Sequence, residues 1–174
     1  MSKAVMLSIR PKWAEKIANG EKTIEVRKTR PKMNTPFKCY IYCTLPKYPH
    51  EDFIATDYPR PQFYGGGKVI GEFTCDQIYE LAPLNHAPDD VEKQACLTRE
   101  EIVNYLKGTG YGWHIVDLRI YDMPRDLSEF RRATDPCDSC HAEYTWECTG
   151  CKKLSGDIKR APQSWCYVEA VKDG

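Results

Sequence analysis

The chain has 174 residues, of which 41% are hydrophobic, and its 25 basic and 25 acidic residues give a formal net charge of zero. This size and composition fit one domain with a single core, and the zero net charge excludes a protein that coats nucleic acid by charge alone. The sequence contains no apolar run of the roughly 18 residues that span a bilayer. The opening apolar run stops at Arg10, too early for a signal peptide. We therefore expect a cytoplasmic protein with no membrane partner.

The charges are distributed unevenly along the chain. Residues 1–38 hold ten Lys or Arg and three Glu, a net of 10 − 3 = +7, whereas residues 76–101 hold seven acids and two bases, a net of 2 − 7 = −5. A locally basic face suits a phosphate-bearing or anionic ligand. A solvated surface without a ligand is the alternative explanation.

A buried strand and a short helix are the first predicted elements. Apolar residues from Ala4 to Ile9 form the strand, and Pro11 follows where the first turn of a helix tolerates proline. Trp13 and Ile17 belong to a narrow apolar stripe on the helix. Gly20 supplies a left-handed stop after it.

Two alternating segments come next. Over Thr23–Arg27, Ile24 and Val26 share one face and three polar residues share the other, which predicts a half-buried strand with a polar face. From Phe37 to Leu45 the same alternation predicts a third strand, with aromatic and thiol side chains on one face and tyrosines on the other.

Two tracts have the composition of loops. Residues 46–67 contain four prolines and the run Gly65-Gly66-Gly67, which predicts a long loop before a strand at Lys68–Cys75. The tract around Pro83 to Gln94 is also loop-like. Long loops of this kind are more often functional than idle.

The second half of the chain begins with a helix signal. Thr98-Arg99-Glu100-Glu101 is a capping box, so a second helix should run from it to about Lys107. Strands at Trp113–Tyr121 and Trp165–Val171 complete the elements. Six strands and two short helices without regular alternation predict an α+β fold, in which a small, mixed, mainly antiparallel sheet curls into a β-barrel.

Two C-x-x-C motifs, separated by residues 141–147, predict one structural zinc ion. Each motif brings two thiolates to a metal at about 2.3 Å, and four thiolates leave no open position for catalysis. Reversible disulfide chemistry is the alternative for such a motif. We expect a zinc-binding insertion at about 135–153 in a single domain covering 1–174. Its predicted ligands are Cys137, Cys140, Cys148 and Cys151.

The richest chemistry lies in the segment that joins the first helix to the second strand. Lys22 follows the helix stop, and Thr23, Glu25 and Arg27 share the polar face of the strand. An ammonium, a hydroxyl, a carboxylate and a guanidinium are thus gathered in a short length of chain.

This segment resembles the ASCH family of the PUA-like superfamily, whose signature is G-x-K-x-x-x-x-R after a first strand and short helix. Gly20, Lys22 and Arg27 match that signature. The segments at 7–13, 68–73 and 161–169 also resemble members of this family, so the resemblance covers most of the chain outside the long loop and the cysteine insertion.

The resemblance implies a PUA-like barrel with a basic cleft beside the first helix that binds RNA or a nucleoside. Some relatives are hydrolases that remove an acyl group from a modified cytidine, and others are described as ribonucleases. The deacylating relatives use a lysine, a threonine and a glutamate. Lys22 matches the lysine, Glu25 occupies the threonine position, and Glu92 lies only near the glutamate position.

Three functions therefore remain open. The first is RNA or nucleoside binding, with the cleft residues Arg10, Lys22, Thr23, Glu25, Arg27 and Tyr64 as ligand contacts. The second is hydrolysis of a modified nucleoside or of RNA, with Lys22 and Glu25 as catalytic residues. The third is a protein-interaction module that uses the zinc loop. Trp13, Tyr64 or Trp165 could stack on a base, although ordinary burial tendencies favour the core for Trp13 and Trp165.

Overall fold

The structure is a computed structural model of the chain, and it describes residues 2–48, 53–55, 62–81, 86–133 and 156–171. The four cysteines of the two C-x-x-C motifs lie outside these residues. The predicted zinc site therefore stays a prediction.

The described residues form ten strands, three α-helices and one 3-10 turn at Leu127–Glu129. The strands are β1 (Lys3–Ile9), β2 (Ile24–Arg27), β3 (Phe37–Cys43), β4 (Phe53–Ala55), β5 (Gln62–Tyr64), β6 (Lys68–Glu80), β7 (Tyr111–Arg125), β8 (Arg131–Arg132), β9 (Gly156–Asp157) and β10 (Trp165–Glu169). The helices are α1 (Pro11–Ala18), α2 (Val91–Ala95) and α3 (Arg99–Leu106). None of these helices is long and apolar enough to cross a lipid bilayer.

Eight strands form one sheet in the order β2-β7-β6-β3-β1-β10-β8-β9, and β4 pairs with β5 in a separate hairpin. β1 runs parallel to β3, and the other pairings within the described chain are antiparallel. This confirms the predicted mixed, mainly antiparallel α+β fold. Closure of the sheet into a barrel stays a prediction.

The core follows the alternation of the strands. On β3, Cys39 and Ile41 pack with Trp113 in the main cluster, whereas Tyr40 packs with Phe130 in a second cluster on the opposite face. The rings of Phe37 and Trp113 meet edge to face at 5.8 Å. The side chains of β3 are therefore buried on both faces of the sheet, one face against each cluster.

The prediction of two helices was wrong, because α2 lies inside the tract interpreted as a loop. Its five residues are too few to show helical periodicity, and only Val91 and Ala95, four residues apart, are buried. The long loop at 46–67 also contains the β4–β5 hairpin. Each of these strands has three residues, so alternation had too few positions to be visible among the prolines.

Candidate functional site

A tight turn after α1 places Lys22 beside the start of β2. Gly20 has φ 73°, in the left-handed region that glycine adopts without strain, as predicted for the helix stop. The backbone N–H groups of Glu21 and Lys22 both donate to the carbonyl of Lys16, at 2.9 and 3.1 Å. The lysine is therefore fixed by backbone geometry and not by its side chain alone.

A pocket of ≈ 500 Å³ opens at this turn. It lies between the end of β1, the start of α1, β2 and α3. The residues that line it are Ser8, Ile9, Arg10, Trp13, Lys22, Glu25, Val26, Arg27, Thr44, Leu97, Glu101, Tyr105 and Gln163.

The ammonium of Lys22 is buried, with 2% of the residue exposed. Its Nζ donates to the carbonyl of Ala95 at 2.6 Å and lies 3.5 Å from Oε2 of Glu25. The same Nζ is 5.3 Å from the centre of the Trp13 ring, so a cation–π contact adds to these two polar partners. A buried charge needs such partners, because desolvation without them is costly.

Glu25 joins the two cations of the site. Its Oε1 is 3.0 Å from Nη2 of Arg27, which also donates to the carbonyl of Ser8 at 2.8 Å. Nη1 of Arg27 lies 3.3 Å from Oγ of Ser164. The three charged side chains therefore form one buried network that ties β2 to the end of β1 and to the turn before β10.

One donor in this network has no partner. Within the residues that the structure describes, Nε of Arg27 is buried and makes no hydrogen bond. An unsatisfied buried donor costs free energy, and in a pocket wall it is a group that a ligand acceptor can satisfy.

Burial shifts the protonation of the lysine. Desolvation lowers the pKa of Lys22 from its ordinary value of 10.5, and the neighbouring Glu25 carboxylate opposes the shift. A pKa lowered by burial is a property of lysines at functional sites.

The lowered pKa predicts a specific pH dependence of stability. Between the folded-state pKa and 10.5 the unfolded chain binds more protons at Lys22 than the folded chain does, so this residue makes stability rise with pH across that interval. The Lys22→Met variant should lack the effect. Urea unfolding at a series of pH values rising to about 10.5 should show the wild type gaining stability relative to the variant as the pH approaches that value. A constant difference between the two proteins would contradict the shift.

The structure brings together four of the six ligand contacts predicted from the sequence. Arg10, Lys22, Glu25 and Arg27 line the pocket. The polar face of the strand predicted to be half-buried is itself buried, because Arg27 bonds to the end of β1 and to the turn before β10, and Glu25 lies between the two cations. Thr23 does not line the pocket, since its Oγ1 lies 3.2 Å from Oε1 of Gln94 next to α2.

Tyr64 ends β5, but its side chain lies outside the described part of the structure. Glu92 is not a lining residue either. Its Oε1 accepts a hydrogen bond of 2.6 Å from the backbone N–H of Arg99, at the first turn of α3. It therefore acts as a cap for that helix.

Several lining residues were not predicted. Trp13 and Trp165 are both partly buried and pack against the main core, as expected, and Trp13 also lines the pocket. Glu101 and Tyr105 come from α3, and the capping box fixes the start of that helix with hydrogen bonds of 2.8 and 3.2 Å. Tyr105 is a large aromatic residue that stays 45% exposed. An aromatic residue on the polar side of an amphipathic helix is the sequence signal for it.

The sequence comparison decides the family. The family model of the ASCH domain matches residues 7–154. The chain belongs to the ASCH domain family. ASCH domains have a PUA-like fold and generally bind RNA. No curated protein matches this ASCH domain in sequence.

Solved structures agree with the assignment of the fold. The crystal structure of ASCH from Zymomonas mobilis superposes with a TM-score of 0.58 at 17% identity, covering 95% of this chain and 87% of that one. Two structures of its point mutants give TM-scores of 0.60 and 0.58, also at 17% identity. They cover 97% and 95% of this chain and 91% and 88% of the mutant chains. At this identity the likeness shows the fold alone.

Proposed function

We propose that this ASCH domain binds RNA or a nucleoside in the pocket beside α1. The observation that carries the proposal is the buried network of Lys22, Glu25 and Arg27, which forms one wall of a ≈ 500 Å³ pocket with Trp13 and Tyr105 also at its surface. This volume falls within the roughly 300–1,000 Å³ of small-molecule sites.

The polar groups of the pocket match the edge of a nucleobase. Nε of Arg27 is a donor that finds no acceptor among the described residues, and Glu25 has carboxylate oxygens next to it. A base offers donors and acceptors side by side in one plane, so both groups can be satisfied by the same ligand. Aromatic side chains provide the flat surface on which a base stacks.

Charge at the mouth of the pocket suits a phosphate. Arg10 is exposed at the start of α1 and lines the pocket. A phosphate contact of this kind positions the ligand, and base contacts inside the pocket select it.

The test uses two tyrosines in matched settings. Tyr105 lines the pocket, is 45% exposed and has Nζ of Lys28 at 5.2 Å from its ring centre. Tyr48 is 48% exposed, has Nζ of Lys47 at 5.3 Å and is not a lining residue. Removing a stacking ring should weaken binding of the base about 5- to 150-fold. We expect this loss in Tyr105→Ala and no loss in Tyr48→Ala.

The measurement is calorimetric titration with a panel of natural and modified nucleosides and short RNAs. Equal affinity of the two alanine variants would contradict the pocket as the binding site. If no nucleoside or RNA binds the wild type, the proposal fails, and a protein-interaction role through the cysteine insertion becomes the better account.

Hydrolysis of a modified nucleoside is a second candidate, supported by the lowered pKa of Lys22 next to Glu25. In such a reaction water attacks the acyl carbon, the carbon–nitrogen bond breaks, and the leaving amine takes a proton. The neutral form of a lysine, or a carboxylate beside it, can accept the proton from water. Cleavage of RNA is the other hydrolysis that the pocket is suited to.

Lys22→Met tests the catalytic role when its turnover and its binding of the same ligand are both measured. If this ASCH domain is a hydrolase, the variant should lose turnover of an acylated cytidine or of RNA while the Tyr48→Ala control keeps it. Turnover that survives the loss of Lys22 would exclude this lysine as a catalytic residue.

We also propose that the two C-x-x-C motifs bind one structural zinc ion. The pairing of β8 with β9 supports this, because Arg132 lies opposite Gly156 and so brings the two ends of residues 134–155 together. The outer cysteines lie symmetrically from this pair, since 137 − 132 = 5 and 156 − 151 = 5. Two C-x-x-C motifs at equal sequence distances from a pair of adjacent strands can share one metal.

A further inference from the structure

The stretch between β2 and β3 is unusually basic for a chain of zero net charge. From Val26 to His50 the sequence has six Lys or Arg and no acidic residue. Three of these cations are exposed on the segment that directly follows the pocket residue Arg27. We name residues 28–32 the cationic segment, and its charged side chains are Lys28, Arg30 and Lys32.

The cationic segment is held in place on the sheet. Pro31 is buried, so the residues on either side of it point outward. Nε1 of Trp165 donates to Oγ1 of Thr29 at 3.0 Å, and the backbone N–H of Lys32 donates to Oη of Tyr167 at 2.8 Å. A segment tied to β10 at two points presents its charges in a fixed arrangement, which reduces the entropy that binding would cost.

No carboxylate among the described residues neutralises the charges of the cationic segment. Within the described chain, Lys28, Arg30 and Lys32 make no salt bridge. Nζ of Lys28 lies 5.2 Å from the ring centre of Tyr105, and the guanidinium of Arg30 lies 5.9 Å from that of Tyr111. A cation on an aromatic face keeps its full charge for an incoming anion.

We infer that the cationic segment binds the phosphates that flank a nucleotide held in the pocket, so that the ligand of this ASCH domain is a single-stranded RNA rather than a free nucleoside. The inference rests on the proposed function. The Lys28–Tyr105 contact links the segment directly to the pocket, because Tyr105 is a lining residue. A base enters such a pocket only when it is not paired in a duplex.

The test compares a single-stranded RNA hexamer with the free nucleosides. The triple variant Lys28→Ala, Arg30→Ala, Lys32→Ala loses three phosphate contacts. Each phosphate contact contributes about 0.7 to the slope of log affinity against log salt concentration, so this slope should become shallower by about 2. The affinity for the hexamer near 0.1 M salt should fall about 100-fold. Affinity for a free nucleoside should fall far less, because a nucleoside has no phosphate for the segment to bind.

A second triple variant controls for the loss of charge alone. Arg131, Lys159 and Arg160 are exposed and adjoin β8 and β9, at the opposite end of the strand order from β2. Changing all three to alanine should leave the affinity for the hexamer unchanged. Equal losses in both triple variants would overturn the inference, because they would show a general charge effect.

The possible results separate the inference from the proposed function. If the cationic-segment variant keeps full affinity for the hexamer while Tyr105→Ala loses it, the segment is not a phosphate site and the pocket stands. The inference also fails if the wild type binds nucleosides as tightly as the hexamer, or if it prefers a poly-glutamate peptide or a DNA hexamer over the RNA. If the wild type binds neither nucleoside nor RNA, both proposals fall.

Discussion

Replacing Glu25 with alanine is expected to lower the free energy of unfolding by about 3–5 kcal/mol, the usual cost of removing one partner from a buried ion pair. Glu25 is 7% exposed and contacts both Lys22 and Arg27. Without it, two cations share a buried wall with no carboxylate between them. The loss should be smaller at alkaline pH, because Lys22, whose pKa is already lowered, can become neutral.

A neighbouring ion pair provides the matched control. Lys16 and Glu21 are 2.7 Å apart, but their side chains are 32% and 53% exposed. Solvent screens such a pair, so Glu21→Ala should cost no more than about 1 kcal/mol. Urea unfolding of both variants at neutral and alkaline pH makes the comparison. Equal losses for the two glutamates would show that the Lys22–Glu25–Arg27 network does not behave as a buried one.

The local signals in the sequence predicted the strands and helices that contain them. Alternation predicted β3 and the division of its side chains between the two faces of the sheet. The capping box at Thr98 predicted the start of α3. These signals depend on neighbours in the chain, which is why they can be read from sequence alone. α2 and the β4–β5 hairpin were missed because they are too short to show a period.

Only part of the candidate site could be predicted, because sequence signals again depend on neighbours in the chain. The sequence places Lys22, Glu25 and Arg27 on one short segment, and the structure unites them. Their other partners come from far along the chain: the carbonyl of Ala95 is 73 positions from Lys22, and Ser164 is 137 positions from Arg27. Nothing in the local pattern indicates these contacts. For this reason the sequence did not predict that the polar face of this strand is buried, or that Thr23 lies outside the pocket.

The predicted zinc ion gives the second large effect. A structural zinc site contributes an apparent free energy of about 10–16 kcal/mol at neutral pH, and that energy becomes folding energy of the segment that supplies the ligands. Chelation should therefore remove protection from hydrogen exchange in residues 135–153 and loosen the two-residue pairing of β8 with β9. The rest of the sheet should stay folded, because its clusters are built from residues elsewhere in the chain.

Elemental analysis and hydrogen exchange together test this prediction. The purified protein should contain one zinc ion per chain, and the double variant Cys137→Ser, Cys140→Ser should contain none. Cys96 is a partly exposed cysteine outside both motifs, so Cys96→Ser should keep the metal. A wild type without zinc whose four cysteines interconvert between thiols and disulfides would establish the redox alternative. Unfolding of the whole sheet on chelation would show that the metal stabilises the entire domain, because the sheet and the cysteine insertion would then share one cooperative unit.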